Sequence, residues 1–419
     1  ATRKRKQRAR QHMRSLYLDI IIIALVTTTK PMLALSYVSR SASPTAAFSS
    51  IGRSSSALAF TSSRVLNTLG HNPRVSHHRH CRYTTSSILQ MSNNHHPLDG
   101  KNIVTIKECL QDDVLSNQDT IFVDGSWHLD TSRNGRQEYE AGPRIKGAKF
   151  FDVDDVSSKG DLNPKDLPHM MPTKELFAAA MDALQIQNNN HVIIYGTQGS
   201  SPQFTARTWY TFINMGHDAN RVHLLEESLN EWVGAGGPIE KDSTKVSFLA
   251  DDLNLEEGEF NYVAKDASNF VNMQDVLAVV NDIMAKTKEE NATNVIDKTV
   301  IIDTRPAGRF NAEAPEPRQG VRGGHMPGAI NIPFMDLLDS SSTSKTLKPK
   351  DELKQIFTKA GVDIENESTP KIIVSCGSGM LACLVAVALE ECGRDPKGTF
   401  VYDGSWTEWG LDPDTPVVK

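Results

Sequence analysis

The stretch Cys376-Gly377-Ser378-Gly379 is the part of the chain whose residue types and spacing are best suited to chemistry. The apolar run Ile372–Ser375 before it reads as a strand, and the run from about Gly379 to Cys392, closed by Gly393, reads as a helix. Two glycines let the intervening loop curl until successive backbone N–H groups point inward, with the helix N-terminus behind them. An anion is favoured at that centre. A cysteine there is expected to be held as the thiolate, the nucleophilic form, and the same donors can stabilise a persulfide or a departing anion. Inert burial is the commoner fate of a cysteine. That reading is given to Cys383 and Cys392, inside the apolar helix, and to Cys109 in an amphipathic one.

The remaining cysteine is Cys81, and no two of the five form a Cys-x-x-Cys pair. Neither a zinc-finger spacing nor a redox dithiol is written here, and the odd, irregular set suits a reducing compartment. The charge is uneven. Residues 1–90 hold 14 Lys and Arg against the single acid Asp19, so with −6 overall the rest of the chain carries −19. A body that acidic argues against nucleic acid as a partner, since phosphate contacts need basic patches.

Two sets of alternating strands and helices must position the loop. Ile121–Asp124, Val192–Tyr195 and Val222–Leu225 read as strands, and Lys174–Leu184 and Gln203–Met215 as helices. The order then recurs with strand Val300–Asp303, helix Lys350–Ala360 and strand Ile372–Ser375. The halves align at a nearly constant offset. Phe122-Val123-Asp124 matches Ile301-Ile302-Asp303 at 179, Lys146-Gly147-Ala148 matches Pro327-Gly328-Ala329 at 181, and His191–Ile194 matches Lys371–Val374 at 180. Glu231-Trp232 matches Glu408-Trp409 at 177. An internal duplication explains this, and the alternation implies an α/β fold with mainly parallel sheets. The offset sets Cys376 opposite Gly196, so one half alone has a nucleophile. Asp-Gly-Ser-Trp occurs at 124–127 and again at 403–406, in places that do not correspond. The expected division is a leader at 1–98, a first domain at 99–240, a linker at 241–260 and a second domain at 261–419.

In the leader, the apolar run Leu16–Val26 is too short for comfortable membrane crossing. From Ser36 to Ser87 the chain is rich in Ser, Thr, Arg and His without one acid, the composition of an organelle transit peptide. Mitochondrial import is the first reading and a bipartite plastid signal the alternative; no span is expected in the mature protein. His77, His78 and His80 beside Cys81 are read as low-complexity leader rather than a metal site.

Residues 376–381 resemble the active loop of 3-mercaptopyruvate sulfurtransferases of the rhodanese superfamily, whose pattern is Cys-Gly-Ser/Thr-Gly-Val-Thr. Agreement extends to Gly308-Arg309-Phe310 with Glu316-Pro317-Arg318, to Gly324–Ala329 and to Tyr402–Trp406, and covers about residues 101–415. The resemblance implies two tandem rhodanese-like domains after a disordered targeting segment, with sulfur carried from 3-mercaptopyruvate as a persulfide on Cys376 to cyanide, a small thiol or reduced thioredoxin. It implies no metal or organic cofactor. Arg309 and Arg318 would hold the substrate carboxylate, where guanidinium forks fit, and Gly377, Gly379, Met380 and Leu381 would line the site. Ser378, His169 and Asp154 would form a relay returning a proton to the pyruvate enolate, while His325 would be structural. Met380-Leu381 departs from Val-Thr, and Pro143–Gly147 departs from the usual first-domain turn. Thiosulfate-preferring rhodaneses place basic residues straight after the cysteine; here Gly and Ser stand there, which leaves thiosulfate as the alternative donor. A phosphatase would want an Arg closing the loop, and residues 377–382 contain none. A non-catalytic module would not need Cys376.

Overall fold

A computed structural model describes residues 95–256, 258, 260–288, 299–364 and 371–419. The transit-peptide composition and the His77–Cys81 cluster therefore lie outside the described residues. Among the described residues no helix is long and apolar enough to cross a membrane.

Five strands form the first sheet: β1 (Ile103–Val104), β2 (Thr120–Asp124), β4 (Lys149–Phe150), β5 (His191–Tyr195) and β6 (Val222–Leu225), in the order β1-β6-β5-β2-β4. Another two, β3 (Arg144–Ile145) and β7 (Ile239–Glu240), pair antiparallel beside it. The second sheet comprises β8 (Phe270–Val271), β9 (Val300–Asp303), β10 (Ile330–Asn331), β11 (Ile372–Ser375) and β12 (Thr399–Tyr402), in the order β10-β9-β11-β12-β8. Read from its other edge, that is the same succession, and every pair within both sheets is parallel. The duplication in the sequence is thus a duplication of topology. All residues of β5 and β11 are buried, because helices cover both faces of each sheet.

Local chemistry sets the helix ends. Thr173 caps Lys174–Leu184, its Oγ1 accepting the Leu176 N–H at 3.2 Å, an interaction worth about 1 kcal/mol. The helix Met380–Glu391 is apolar on nearly every side and almost wholly buried. A helix hydrophobic all round must be covered all round, and its cover is Thr205–Asn214 from the first half, against which it packs. The two halves consequently share one hydrophobic core.

Polar ties reinforce the contact. Lys165 reaches Glu408 at 3.0 Å, the Met171 N–H donates to Asp403 at 2.8 Å, and the Ser228 N–H donates to Ser344 Oγ at 2.9 Å. The described residues of 241–256 and 260–262 run along the first half, with N–H donation from Thr244 to Glu140 O, from Ala250 to Asp155 and from Tyr262 to Asp182, each at 2.9 Å. The repeated Asp-Gly-Ser-Trp follows β2 in one half and β12 in the other, so the two copies close different strands.

Candidate active site

Cys376 stands at the C-terminal end of β11, the usual ligand edge of a parallel sheet. Its backbone is fixed from below. The Cys376 N–H donates to Ser405 Oγ at 3.1 Å, while the Cys376 and Gly377 carbonyls accept the N–H groups of Trp406 and Thr407 at 3.0 and 2.9 Å. With those carbonyls turned toward the helix Ser405–Leu411, the N–H groups of Gly377, Ser378, Gly379 and Met380 meet no acceptor among the described residues. This is the open anion nest expected of the loop. Gly379 must be glycine: its φ is +80°, and a Cβ there would lie 2.6 Å from Asp403 O. Met380 begins the helix and is buried, and Leu381, beside it, packs partly buried against the core.

The sulfur itself is covered, Cys376 being 2% exposed, yet Arg309 reaches its loop directly and Arg318 through Thr407. Arg309 Nη2 lies 3.4 Å from where a Cβ on Gly377 would stand. Arg318 donates to Thr407 Oγ1 at 3.2 Å, and that hydroxyl in turn donates to Gly377 O at 2.5 Å. Glu316 grips Arg309 through Nε and Nη2 and also holds the buried Arg305 at 2.8 Å. Arg305 forks onto Asp303 and lies 4.0 Å over the Trp406 ring. A chain of two acids and two arginines cancels its own charge, and Arg318 stands outside that chain. A cleft of about 440 Å³ opens beside Arg318, lined also by Glu313, Glu316 and Lys419 and by no residue of the Cys376–Met380 loop. His325 stacks on Phe310 at 3.7 Å and bonds its carbonyl at 2.9 Å, bracing the short helix Ala307–Phe310 that carries Arg309.

Asp154 and His169 come together: Nδ1 of His169 bonds Asp154 Oδ1. A carboxylate at Nδ1 puts the ring's proton there and leaves the lone pair on Nε2. That atom is buried and meets no hydrogen-bond partner among the described residues. Asp154 also accepts the Trp127 indole N–H at 2.8 Å, and the Trp127 ring stands edge-on to His169 at 5.0 Å. Desolvation opposes the charge of Asp154, but His169, with help from Trp127, keeps its carboxyl below the usual range. Ser378 is half-buried in the loop and forms no hydrogen bond to His169, so the relay has two of its three members in contact.

Arg207, Asp403, Thr407, Trp127 and Glu316 escaped the sequence reading as site residues. Burial of charge was the missing signal: Arg207, at 1% exposed, bridges His169 O, Gly379 O and Asp403, and no residue pattern announces a contact between halves. The other cysteines among the described residues, Cys109, Cys383 and Cys392, are buried. Burial pushes the Cys383 thiol up to about 12 and that of Cys392 up to about 11, and it raises Cys109 as well.

Among the described residues, His96, His191 and His223 place ligand atoms within 4.8 Å of one another. Their nitrogens are committed elsewhere. His96 Nδ1 accepts the Leu98 N–H at 3.2 Å and its Nε2 meets Thr120 at 3.1 Å. His191 Nδ1 meets His223 Nε2 at 3.0 Å, and His223 Nδ1 donates to Lys101 O at 2.7 Å. This is a neutral hydrogen-bonded stack, and it stands on the first sheet, apart from the residues gathered around Cys376.

A model of the rhodanese-like domain matches residues 110–235 and again 286–412. The chain is 35% identical to thiosulfate/3-mercaptopyruvate sulfurtransferase 1, mitochondrial, of Arabidopsis thaliana, over 72% of its own length and 75% of that protein's. It is 37% identical to the 3-mercaptopyruvate sulfurtransferase of Escherichia coli K12, over 68% and 86%. The crystal structure of SseA from Escherichia coli superimposes with a TM-score of 0.55 at 30% identity, covering 73% of this chain and 99% of that one.

Proposed function

The chain belongs to the rhodanese family as a two-domain sulfurtransferase, and from that premise we propose that it moves sulfur from 3-mercaptopyruvate through a persulfide on Cys376. The observation that carries the reading is the open N–H nest at Gly377–Met380 with two guanidinium groups at its rim.

Arg318 and the free edge of Arg309 take the substrate carboxylate. The Cys376 thiolate attacks the substrate sulfur: an S–S bond forms, the C–S bond breaks, and its electron pair passes into the pyruvate enolate. The proton leaving the substrate thiol returns to the enolate carbon, with His169 Nε2 as the carrier, Asp154 fixing the ring and Ser378 bridging when substrate is bound. Pyruvate leaves and the nest holds the persulfide anion. A thiol or cyanide then removes the outer sulfur and restores the thiolate; a small redox protein such as thioredoxin fits the same chemistry. The acid-free, basic composition of residues 36–87 supports import into an organelle.

Gly377 and Ser378, uncharged where thiosulfate-preferring enzymes carry bases, favour the 2-oxo acid as donor. Steady-state kcat/KM for 3-mercaptopyruvate and for thiosulfate, with cyanide as common acceptor, tests this. The expected result is a clear preference for 3-mercaptopyruvate; the reverse order overturns the donor assignment.

A further inference from the structure

We propose that Arg207 is the positioning residue that sets the distance between the proton carrier of one half and the sulfur loop of the other; this rests on the function just proposed. Arg207 stands in the first turn of Thr205–Asn214, a first-half helix, yet its guanidinium ends in the second half's loop. One Nη donates to Gly379 O at 3.2 Å. The other donates to the carbonyl of His169 and to Asp403 Oδ1 at 2.8 Å. Three acceptors on three separate segments are joined by one planar group, which a point charge on a flexible stem cannot reproduce.

The segment it holds needs holding. His169 sits at φ +61°, a left-handed backbone that a residue with a side chain rarely adopts. The remaining Asp403 oxygen accepts the Met171 N–H, so Arg207 and Asp403 together clamp both sides of this strained turn. On the other side, Gly379 is the residue whose left-handed conformation shapes the nest. Burial opposes the charge of Arg207, and Asp403 outweighs it, keeping the guanidinium ionised. Its cation also lies 4.9 Å over the Phe270 ring. An ion pair this buried is a poor source of net stability, since desolvation consumes most of its attraction. Its use is geometric.

The proposal separates the two half-reactions. Formation of pyruvate needs a proton moved by His169, whereas discharge of a preformed persulfide to cyanide does not. The test uses the whole protein as wild type, Arg207→Lys, Asp403→Asn, His169→Gln and the Arg207→Lys/His169→Gln double variant. Each is assayed for single-turnover pyruvate release from 3-mercaptopyruvate. Each is also assayed for thiocyanate release after Cys376 has been loaded with inorganic polysulfide.

Arg207→Lys is expected to lose on the order of 10²-fold in the first assay, the cost of an ångström of misplacement, and less than about threefold in the second. Asp403→Asn, which keeps the shape of the side chain, shows the same split at smaller size. The double variant is no slower than His169→Gln alone, because two residues acting as one unit do not add. Equal losses in both assays, or multiplying losses in the double variant, overturn the proposal. Absence of pyruvate from wild type would instead defeat the underlying donor assignment, and the two failures are distinct.

Discussion

The two strand-loop-helix units, one in each half, differ in how they spend their polar groups. Between β5 and its helix the first half has nine residues, Gly196–Phe204; between β11 and its helix the second has four, Cys376–Gly379. The longer loop is consumed internally. Its Thr197 N–H donates to Ser126 Oγ at 2.8 Å, Thr197 Oγ1 donates to Glu138 at 3.0 Å, and Arg133 donates to Gln198 O at 2.6 Å. Ser200 Oγ accepts the Trp127 N–H at 3.0 Å and Ser201 donates to Leu225 O at 2.8 Å. The shorter loop gives the Cys376 and Gly377 carbonyls to a neighbouring helix, and the N–H groups of Gly377, Ser378 and Gly379 meet no acceptor among the described residues. The aspartates that end β2 and β9 diverge in parallel. Asp303 is gripped by Arg305, while burial, opposed by hydrogen bonds from Ser126 and Tyr195, carries Asp124 up to about 6. The same scaffold is thus a strut in one half and the proposed site in the other, and the first half's proposed contribution to the chemistry is its Asp154–His169 pair.

The largest effect tests that asymmetry at its centre. Cys376→Ser is expected to abolish both pyruvate release and thiocyanate formation. Gly196→Cys in that background is expected to restore neither. A side chain at 196 would come within 2.7 Å of Thr205 and 3.1 Å of Ser200, so this second change also costs about 1–3 kcal/mol of stability by overpacking, read as a lower denaturation midpoint. Activity returning with Gly196→Cys would erase the distinction between the loops.

Next comes the pair lent by the first half. Replacing His169 by Gln is expected to slow pyruvate release by on the order of 10²–10⁴-fold, with KM little changed. At the rim, Arg309→Lys keeps the charge but loses the fork held by Glu316. Hydrogen bonds to a charged group contribute roughly 1.5–3 kcal/mol, so kcat/KM should fall about 10–100-fold. That loss should appear mainly in KM and not in cyanide discharge.

The smallest effects concern stability, and they have opposite sign in the two halves. Burial, with the neighbouring histidines adding to it, lowers His191 to about 3 and His223 to about 4, and burial also lowers His96. Unfolded histidine takes up its proton near 6.5, so stability is fully present above that value and drains as pH falls toward about 4 for His223 and about 3 for His191. In the second half, burial followed by Glu391 and Asp395 raises Glu390 to about 8. The unfolded carboxyl has already ionised near 4.5, so this group removes stability as pH rises from there to about 8. Melting temperatures of His191→Gln and Glu390→Gln against pH would read each limb: the first variant flattens the acid side, the second the neutral side.

Much of this arrangement was legible in residue order. The central strands β5, β9 and β11 each carry a run of three apolar residues or more, which is what burial on both faces writes, and the duplication showed through the nearly constant offset. The two-residue edge strands β1, β4, β8 and β10 were not legible, because so short a pairing leaves no period to read. The 16-residue helix Met273–Lys288 was not assigned either. Within the site, the nest followed from Gly-Ser-Gly after a strand, and the residues that line it were named by family likeness. Arg207 and Asp403 lie 196 positions apart and meet only through the packing of one half on the other. A buried arginine inside an amphipathic helix reads as an exposed one until its neighbours are known.

Mass analysis of the Cys376 peptide after one turnover with 3-mercaptopyruvate, with no acceptor present, addresses the central claim most directly. The account expects one added sulfur atom on that peptide, in amount equal to the pyruvate released, and none on the peptides of Cys109, Cys383 or Cys392. Pyruvate released in full while the Cys376 peptide keeps its original mass would contradict it.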